Sequence, residues 1–381
     1  MKQLLRAIGM VALVASCSTG IAAYKIVDLG ASGRSASVAT DINNPGQIVG
    51  GVCRSDAAIR GADCDAFITH SDGSNLRTVA PIGDLWGLGK DVWITDLGAV
   101  YANSPTGPFK TGPNGVGRIN IGAGGNGDNL TNVSSNGRFI KSGCASDAIG
   151  SACAIQTSSL VPAGGQAPAR GVAVAANGQM VVTYTLGAVT KALVTAPNGA
   201  SPRALTSLAG YVYPTEMNNS GQVVGFRKLT FESPSESFIT APDATSATIL
   251  ALPSLPQDVN ASGDIVGGVG GSKAVLYSSG SITMLGTLPS VQAGGWQDLE
   301  PLSINDSGNI MGRGLKQGSG APFSLRRQPG PPRAIPLSFS RPALSLQGRP
   351  QRFEQKCQGP PRPEPSSSRA APRTSELHFP S

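Results

Sequence analysis

Few side chains in this sequence could perform hydrolysis, and no arrangement of them stands out. The chain has two histidines, His70 and His378, so a Ser-His-Asp triad would have to use His70. No serine lies in a G-x-S-x-G elbow, and we interpret His70 as a solvated turn residue. Acidic residues could supply the two carboxylates of a glycosidase, but their spacing singles out no pair. The sequence therefore predicts no catalytic residue and no cofactor.

Calcium is the metal that the acidic residues are best suited to bind. The phrase DINNPG at 41–46 resembles the start of calcium loops, in which alternate oxygens converge on one ion. Such loops need further acids at positions five and nine, where this chain has Pro45 and Val49. Two oxygens are too few to hold calcium, so we predict no metal site. We expect Asp41 and its counterpart Asp258 to cap a turn instead.

Aromatic and basic residues are the candidates for ligand contact. Trp86 and Trp296 lie in glycine-rich connectors, where an exposed indole could stack on a sugar ring. Trp93 lies within a strand pattern and is predicted to be core. The loop that begins with Arg227 and Lys228 is a further candidate, because variable loops on a rigid framework commonly carry recognition.

An internal repeat provides the elements that must position these residues. The phrase DINNPGQIVG at 41–50 recurs at 216–225, 258–267 and 303–312, with three degenerate copies between the first and second of these. Each copy has a glycine at the same place, and consecutive glycines are 39 to 52 residues apart. These repeat-turn glycines are Gly46, Gly98, Gly137, Gly178, Gly221, Gly263 and Gly308.

Each repeat unit contains four short predicted strands. They match DIN, QIVGG, a pattern like AFIT at 66–69 and a last apolar strand, separated by Asn and Gly turns that tolerate positive φ. Four antiparallel strands in roughly 42 residues are typical of a propeller blade. We predict an all-β, seven-bladed β-propeller of four-stranded blades over residues 24–325; the alternative is an open β-solenoid. Residues 24–29 resemble an unattached fourth strand, which could close the ring by pairing with the incomplete seventh unit.

The two ends of the chain differ from the repeats. Residues 1–23 join a basic start to an apolar run, which indicates a signal peptide and export to the extracellular space or outer cell surface. The VASC at 14–17 resembles a lipobox, which would instead anchor the protein through Cys17. Residues 326–381 hold 12 of the 29 prolines and a net charge of +7. They predict a disordered tail, and an out-of-frame gene end would explain it.

Charge and hydropathy restrict the partners. Residues 24–325 carry 18 basic and 20 acidic side chains, so the repeats are close to neutral. This balance gives no electrostatic basis for binding nucleic acid. No stretch after the signal segment is apolar enough to predict a transmembrane span.

The cysteines are expected to pair, because export leads to an oxidising compartment. The sequence CRSDA at 53–57 precedes Cys64, and CASDA at 144–148 precedes Cys153. These parallel sequences predict the disulfides Cys53–Cys64 and Cys144–Cys153, each closing one loop. A metal site is the alternative, but the pairs have neither a nearby histidine nor the tight spacing of zinc ligands.

At the repeat phrase the chain resembles the HAF-repeat family of extracellular bacterial proteins. The residues that carry the resemblance are ATDIN at 39–43 through Gly50, followed by DAF at 65–67 where the family has His-Ala-Phe. The resemblance covers about residues 24–325. It implies an exported bacterial protein with a propeller-like fold, and it implies no activity.

These observations favour a non-catalytic function over catalysis. We predict a binding or adhesion module for a polysaccharide, an envelope component or a protein at the cell surface. One alternative is a polysaccharide-cleaving lyase or glycosidase with carboxylates in the propeller channel. The other is a truncated repeat protein that has lost its function.

Overall fold

The computed structural model describes residues 23–30, 36–53, 64–83, 91–122, 129–141, 165–199, 201–205, 207–268 and 274–328. Within these residues the chain forms seven antiparallel sheets, which we call blades 1 to 7. Six sheets have four strands, and two strands are described for blade 3, because residues 142–164 lie outside the described residues. The prediction of an all-β, seven-bladed propeller is confirmed.

The strands of each blade follow one another along the chain. Blade 1 contains β2 (Ala36–Ile42), β3 (Ile48–Cys53), β4 (Cys64–Ile68) and β5 (Arg77–Gly83). Blade 2 contains β6 (Val92–Ile94), β7 (Val100–Ala102), β8 (Phe109–Thr111) and β9 (Arg118–Asn120). Blade 3 contains β10 (Leu130–Val133) and β11 (Phe139–Lys141). Blade 4 contains β12 (Gly165–Val174), β13 (Met180–Leu186), β14 (Val189–Val194) and β15 (Arg203–Ala204).

The second half of the ring repeats this order. Blade 5 contains β16 (Tyr211–Met217), β17 (Val223–Lys228), β18 (Glu236–Thr240) and β19 (Ala247–Leu250). Blade 6 contains β20 (Pro256–Val259), β21 (Ile265–Gly267), β22 (Val275–Ser278) and β23 (Ser281–Met284). Blade 7 contains β24 (Trp296–Ile304), β25 (Ile310–Lys316), β26 (Ser319–Arg327) and the N-terminal strand β1 (Tyr24–Asp28).

Helices are short in the described residues. Three 3-10 turns span Pro113–Gly115, Pro197–Gly199 and Leu285–Thr287, and the helix α1 spans Pro289–Ala293 in the connector between blades 6 and 7. No helix in these parts of the chain has the length and apolar character needed to cross a membrane.

The ring closes by joining the two ends of the repeat array. β1 pairs with β26 in antiparallel register, with Tyr24 opposite Arg327 and Asp28 opposite Phe323. The N-terminal strand thus supplies the fourth strand of blade 7, as predicted. Strand β26 continues to Arg327, two residues beyond the predicted boundary at 325. Pairing with β1 covers the edge of β26, which would otherwise be unpaired.

Apolar side chains fill the space between neighbouring blades. Each of the seven interfaces contains one buried cluster, including the interface of blades 7 and 1, where Met311 packs with Ile48 and Phe67. The second strand of a blade is buried on both faces, as β3 shows along its whole length. Because a buried apolar cluster lies at all seven blade interfaces, the blades form a closed ring. The alternative of an open β-solenoid is therefore excluded.

A glycine at the repeat turn occurs in all seven phrases, and a second glycine follows four residues later in the four clear copies. The seven repeat-turn glycines all have φ between 76° and 95°, a region that L side chains rarely adopt. Gly50, four residues after the first of them, lies opposite a β-bulge in β2. A Cβ on Gly50 would lie 1.9 Å from the Val38 carbonyl oxygen. The bulge therefore requires glycine in the facing strand.

One predicted disulfide is confirmed. Cys53 at the end of β3 and Cys64 at the start of β4 are bonded, and their Cα atoms are 4.1 Å apart. The bond closes the loop between the second and third strands of blade 1. The predicted pair Cys144–Cys153 lies outside the described residues, as do Cys17, Trp86 and residues 329–381.

Candidate functional site

The central channel is lined by the first strand of each blade. The residue five positions before the repeat-turn glycine lines the channel in six of the seven blades. These residues are Asp41, Trp93, Asn132, Glu216, Asp258 and Ser303. Blade 4 has Ala173 at this position and contributes Val174 to the channel. No basic residue is among the described residues that line the channel, so it is acidic.

The two aspartates at this position of the first strand bridge neighbouring blades. Asp41 accepts hydrogen bonds from the Ile42 amide at 3.0 Å and from the Ile94 amide of blade 2 at 3.0 Å. Asp258 accepts from the following amide at 2.8 Å and from the Ile304 amide of blade 7 at 2.9 Å. Asp41 and Asp258 were predicted to cap a turn. The hydrogen bonds that they accept instead link the first strands of two blades.

A serine between these aspartates is the nearest approach to a catalytic arrangement. The Ser303 hydroxyl lies 2.5 Å from Asp258 Oδ2 and 3.2 Å from Asp41 Oδ1. Both carboxylates also accept two backbone amides, which makes them part of the ring's structure. Within the described residues, no group of three or more His, Cys, Asp or Glu is placed to hold a metal ion.

Polar bridges also cross the channel between blades 3 and 5. The Asn132 amide donates to both carboxylate oxygens of Glu216 at 3.3 Å, and its carbonyl accepts from the Val174 amide at 3.1 Å. Nearer the mouth, Asn219 Nδ2 donates to Ser135 Oγ at 3.0 Å. The remaining cavity has a volume of about 110 Å³, which suits several water molecules.

Asparagines of the repeat phrase form a second circle of contacts. The side chain of Asn43 donates to the Thr95 carbonyl of blade 2 at 2.9 Å. Asn218 donates to the Asn260 carbonyl at 2.7 Å, Asn260 to the Asn305 carbonyl at 3.2 Å, and Asn305 to the Asn43 carbonyl at 2.9 Å. This relay passes through blades 5, 6, 7, 1 and 2. The third residue of the DIN phrase therefore holds successive blades together.

Trp296 differs from its predicted environment. The expectation of exposure is wrong: Trp296 begins β24, is 6% exposed and packs edge-on against Phe323 with ring centroids 5.7 Å apart. The ring nevertheless lines a cavity of about 400 Å³ together with Met284 and Leu299. The cavity lies where the connector from blade 6 enters blade 7. That Trp296 contacts a ligand stays a prediction, and such a contact could involve only the part of its ring that lines this cavity.

Trp93 and His70 have the environments that the sequence predicted. Trp93 is 2% exposed and belongs to the buried cluster between blades 2 and 3. Its indole N–H has no hydrogen-bond partner among the described residues. His70 is exposed in the turn between β4 and β5.

The predicted contacts Arg227 and Lys228 lie at the end of β17 in blade 5. Arg227 Nε is 2.9 Å from Glu236 Oε2 across the hairpin, and the arginine side chain is 17% exposed. This ion pair braces the hairpin. Lys228 Nζ donates to the Phe231 carbonyl at 3.2 Å and lies 5.6 Å from the centroid of the Phe231 ring. Lys228 is therefore closer to a free surface than Arg227.

The same hairpin exposes apolar side chains. Phe231 is 66% exposed and Leu229 is 53% exposed. The Phe231 ring meets Tyr211 edge-on with centroids 6.2 Å apart. We call Tyr211, Lys228, Leu229 and Phe231 the aromatic ledge. A phenylalanine among Thr, Glu, Ser and Pro residues at 230–235 is the signal in the sequence that could have identified it.

Comparison with known proteins identifies no relative by sequence. No protein-family model matches the chain, and neither does any curated protein. Solved structures do match.

The β-propeller domain of the trilobed protease from Pyrococcus furiosus has a TM-score of 0.49 at 7% identity, covering 77% of this chain and 96% of that one. Virginiamycin B lyase from Staphylococcus aureus has a TM-score of 0.41 at 11% identity, covering 79% and 99%. TolB from Acinetobacter baumannii has a TM-score of 0.33 at 8% identity, covering 76% of this chain. The present chain spans about half of TolB, 54% of its length.

Proposed function

We propose that the protein is an exported, non-catalytic binding module of the HAF-repeat type that attaches to a polysaccharide through the aromatic ledge of blade 5. The observation that carries the proposal is the exposure of Phe231, a residue that is 66% exposed and lies beside Tyr211 and Lys228. Sugar rings present apolar C–H faces that pack on aromatic rings, and an ammonium group can donate to their hydroxyls.

The hairpin is suited to binding because it is held in place before the ligand arrives. Arg227 and Glu236 pair across it, and behind it Tyr213 stacks on Phe226 with centroids 5.0 Å apart and an angle of 22° between the rings. A preorganised surface loses less conformational entropy on binding than a mobile one. This favours the ledge as the contact surface over an unbraced loop.

The channel supports a structural role rather than catalysis. A glycosidase needs one carboxyl to donate a proton and the other to attack or activate water. Asp41 and Asp258 each accept two backbone amides, and Glu216 accepts from Asn132 and from the Met217 amide at 3.1 Å. Reorienting any of them would leave backbone amides of the inner strands without partners, at a cost of about 1–3 kcal/mol each.

Export is the second part of the proposal. It rests on the signal-like residues 1–23 and agrees with the Cys53–Cys64 disulfide, since such bonds persist in oxidising compartments. Release after residue 23 and lipid attachment at Cys17 would both place the ring outside the cytoplasm. Mass spectrometry of the mature N-terminus distinguishes the two: a start at Tyr24 indicates release, and a lipidated Cys17 indicates an anchor.

The function is tested by binding the mature chain to bacterial and plant polysaccharides and sizing each polymer afterwards. We expect binding without shortening, and we expect Phe231→Ala to weaken it about tenfold. Leu97→Ala is the matched control, because Leu97 is 77% exposed but lies in a turn of blade 2 at the other end of the strands. Shortened polymer would replace the binding proposal with the glycosidase alternative. Equal binding by both variants would exclude the ledge.

A further inference from the structure

A polar cleft lies between blades 1 and 2, on the face that carries the DIN turns. Three turns meet there: the β2–β3 turn with Gln47, the β4–β5 turn with His70 and Asn75, and the β8–β9 turn with Asn114. The cleft has a volume of about 370 Å³, within the range of small-molecule sites. Arg77 of β5 completes the wall among the described residues.

Arg77 gives the cleft a positive charge. Among the described residues that line the cleft, Arg77 is the one with a formal charge, and none of them is a carboxylate. One of its Nη groups donates to the Asn114 carbonyl, which fixes the guanidinium at the blade interface. Asp72 lies in the same β4–β5 turn as His70 and Asn75, and its carboxylate accepts from the Ser74 amide at 2.8 Å and the Ser74 hydroxyl at 2.6 Å. Among the described residues, no ion pair joins the Arg77 guanidinium to a carboxylate.

Arg203 in blade 4 occupies the position that corresponds to Arg77 in blade 1, but a different residue type accepts its hydrogen bond. Arg203 in the fourth strand of blade 4 donates to the Asp243 carbonyl in the matching turn of blade 5. Both arginines thus clamp one blade to the next. At Arg203, however, the residue whose carbonyl accepts is an aspartate, and its carboxylate offsets the positive charge. At Arg77 the corresponding residue is Asn114, so the charge is left for a ligand.

The other polar groups of the cleft are placed to contact a sugar. Asn75 Nδ2 lies 3.0 Å from His70 Nε2, and Gln47 Nε2 donates to Asn114 Oδ1 at 3.1 Å. These contacts hold the imidazole and the amides in position and leave further donors and acceptors at the rim. Amides and an imidazole bind hydroxyls, whereas a guanidinium binds a carboxylate.

We propose that the cleft between blades 1 and 2 binds an acidic sugar, with Arg77 contacting the carboxylate of a uronic acid and Asn75, His70 and Gln47 contacting its hydroxyls. The choice of a sugar rests on the proposed polysaccharide-binding function. The site is separate from the aromatic ledge and lies at the other end of the strands. Variants of the two surfaces therefore fail independently.

The two histidines of the chain make the test direct. Imidazole signals of the full chain are followed by NMR during titration with glucuronate, with glucose, which lacks the carboxylate, and with inorganic phosphate, which lacks the sugar. His378→Gln assigns the signals. We expect glucuronate to shift the His70 signal saturably and glucose to leave it unchanged. Phosphate is expected to bind at least tenfold more weakly than glucuronate.

Three variants separate the effect of the Arg77 charge from the effect of its contact between the blades. Arg77→Gln should weaken glucuronate binding at least tenfold, the loss expected for a charge-assisted contact. Arg203→Gln removes the equivalent clamp between blades 4 and 5 and should bind like the parent chain. Asn114→Asp leaves the accepting carbonyl in place and supplies the carboxylate found at Asp243. It should also abolish binding, even if Arg77→Gln is too unstable to study.

The outcomes separate the two proposals. Unchanged glucuronate affinity in Asn114→Asp would overturn the site, and so would the absence of a His70 shift in the parent chain. Equal affinity for phosphate and glucuronate would remove the sugar from the proposal. If Phe231→Ala keeps full polysaccharide affinity, the aromatic ledge is refuted as the binding surface. If the parent chain still binds glucuronate saturably, the cleft is retained.

Discussion

Asp91, the residue before β6, has a buried carboxyl group. Its titration should change the free energy of unfolding between pH 4 and pH 8. One of its oxygens, Oδ2, is buried and has no hydrogen-bond partner among the described residues. Burial raises the pKa of Asp91 from 3.8 to about 7, against a smaller lowering by the Asn103 side chain. The folded protein thus holds a neutral carboxyl where the unfolded chain has a charged one.

The sign of the effect follows from the number of protons bound. Between about pH 4 and pH 7 the folded state binds a proton at Asp91 that the unfolded state has lost, so the free energy of unfolding falls as the pH rises. A shift of about three pKa units corresponds to about 4 kcal/mol. Replacement of Asp91 by Asn removes this titration. The stability difference between Asp91→Asn and the parent should therefore grow by as much as about 4 kcal/mol from pH 4 to pH 8.

Urea unfolding followed by fluorescence measures this difference at each pH. Asp243→Asn is the control, since hydrogen bonds from the Thr245 hydroxyl and amide lower the pKa of Asp243. A lowered pKa contributes stability that is constant above the unfolded value of 3.8 and is lost only below it, so this control should show a constant difference from the parent between pH 4 and pH 8. A constant difference between Asp91→Asn and the parent across the range would refute the buried-carboxyl argument.

Two further predictions concern the framework of the ring. Gly50→Ala places a Cβ 1.9 Å from the Val38 carbonyl oxygen and should destabilise the protein by about 3 kcal/mol or more. Gly286→Ala is the control: no atom lies within 4 Å of its new Cβ, so the thermal unfolding midpoint should stay unchanged. The double variant Cys53→Ala/Cys64→Ala should have a free energy of unfolding about 3 kcal/mol lower than the parent, as measured by urea unfolding. This is the contribution expected from closing a loop with a sequence separation of 11. Equal unfolding midpoints for the double variant and the parent would show that the unfolded loop is already constrained.

The sequence predicted the architecture because the information is local and repeated. Gly46 and its six counterparts mark tight turns with positive φ, and a turn signal needs only neighbouring residues. Closure was predictable as well, since an unattached strand at 24–29 and an incomplete last unit complement each other. The Cys53–Cys64 bond followed from two cysteines flanking one short loop.

The candidate sites were less predictable because they depend on contacts between blades. Asp41 was expected at a turn and instead bonds the Ile94 amide, 53 residues away in the sequence. Trp296 was expected in an exposed connector, but β24 begins at this residue and Phe323 covers its ring. The clamp from Arg77 to Asn114 spans 37 residues. No local pattern records which side chains meet across a blade interface.

These contacts show that the DIN phrase and the outer turns of the repeat have different structural roles. Positions in the DIN phrase bond to the next blade, so a substitution at Asp258 or Asn260 alters two blades at once. In the turns between third and fourth strands, the same contact with the preceding blade occurs with an aspartate at Asp243 and an asparagine at Asn114. A change of one side chain at such a turn alters the charge of a cleft and leaves the backbone contact in place. Under the proposed function, ligand specificity would therefore vary blade by blade, while the acidic channel stays fixed by the hydrogen bonds between the inner strands.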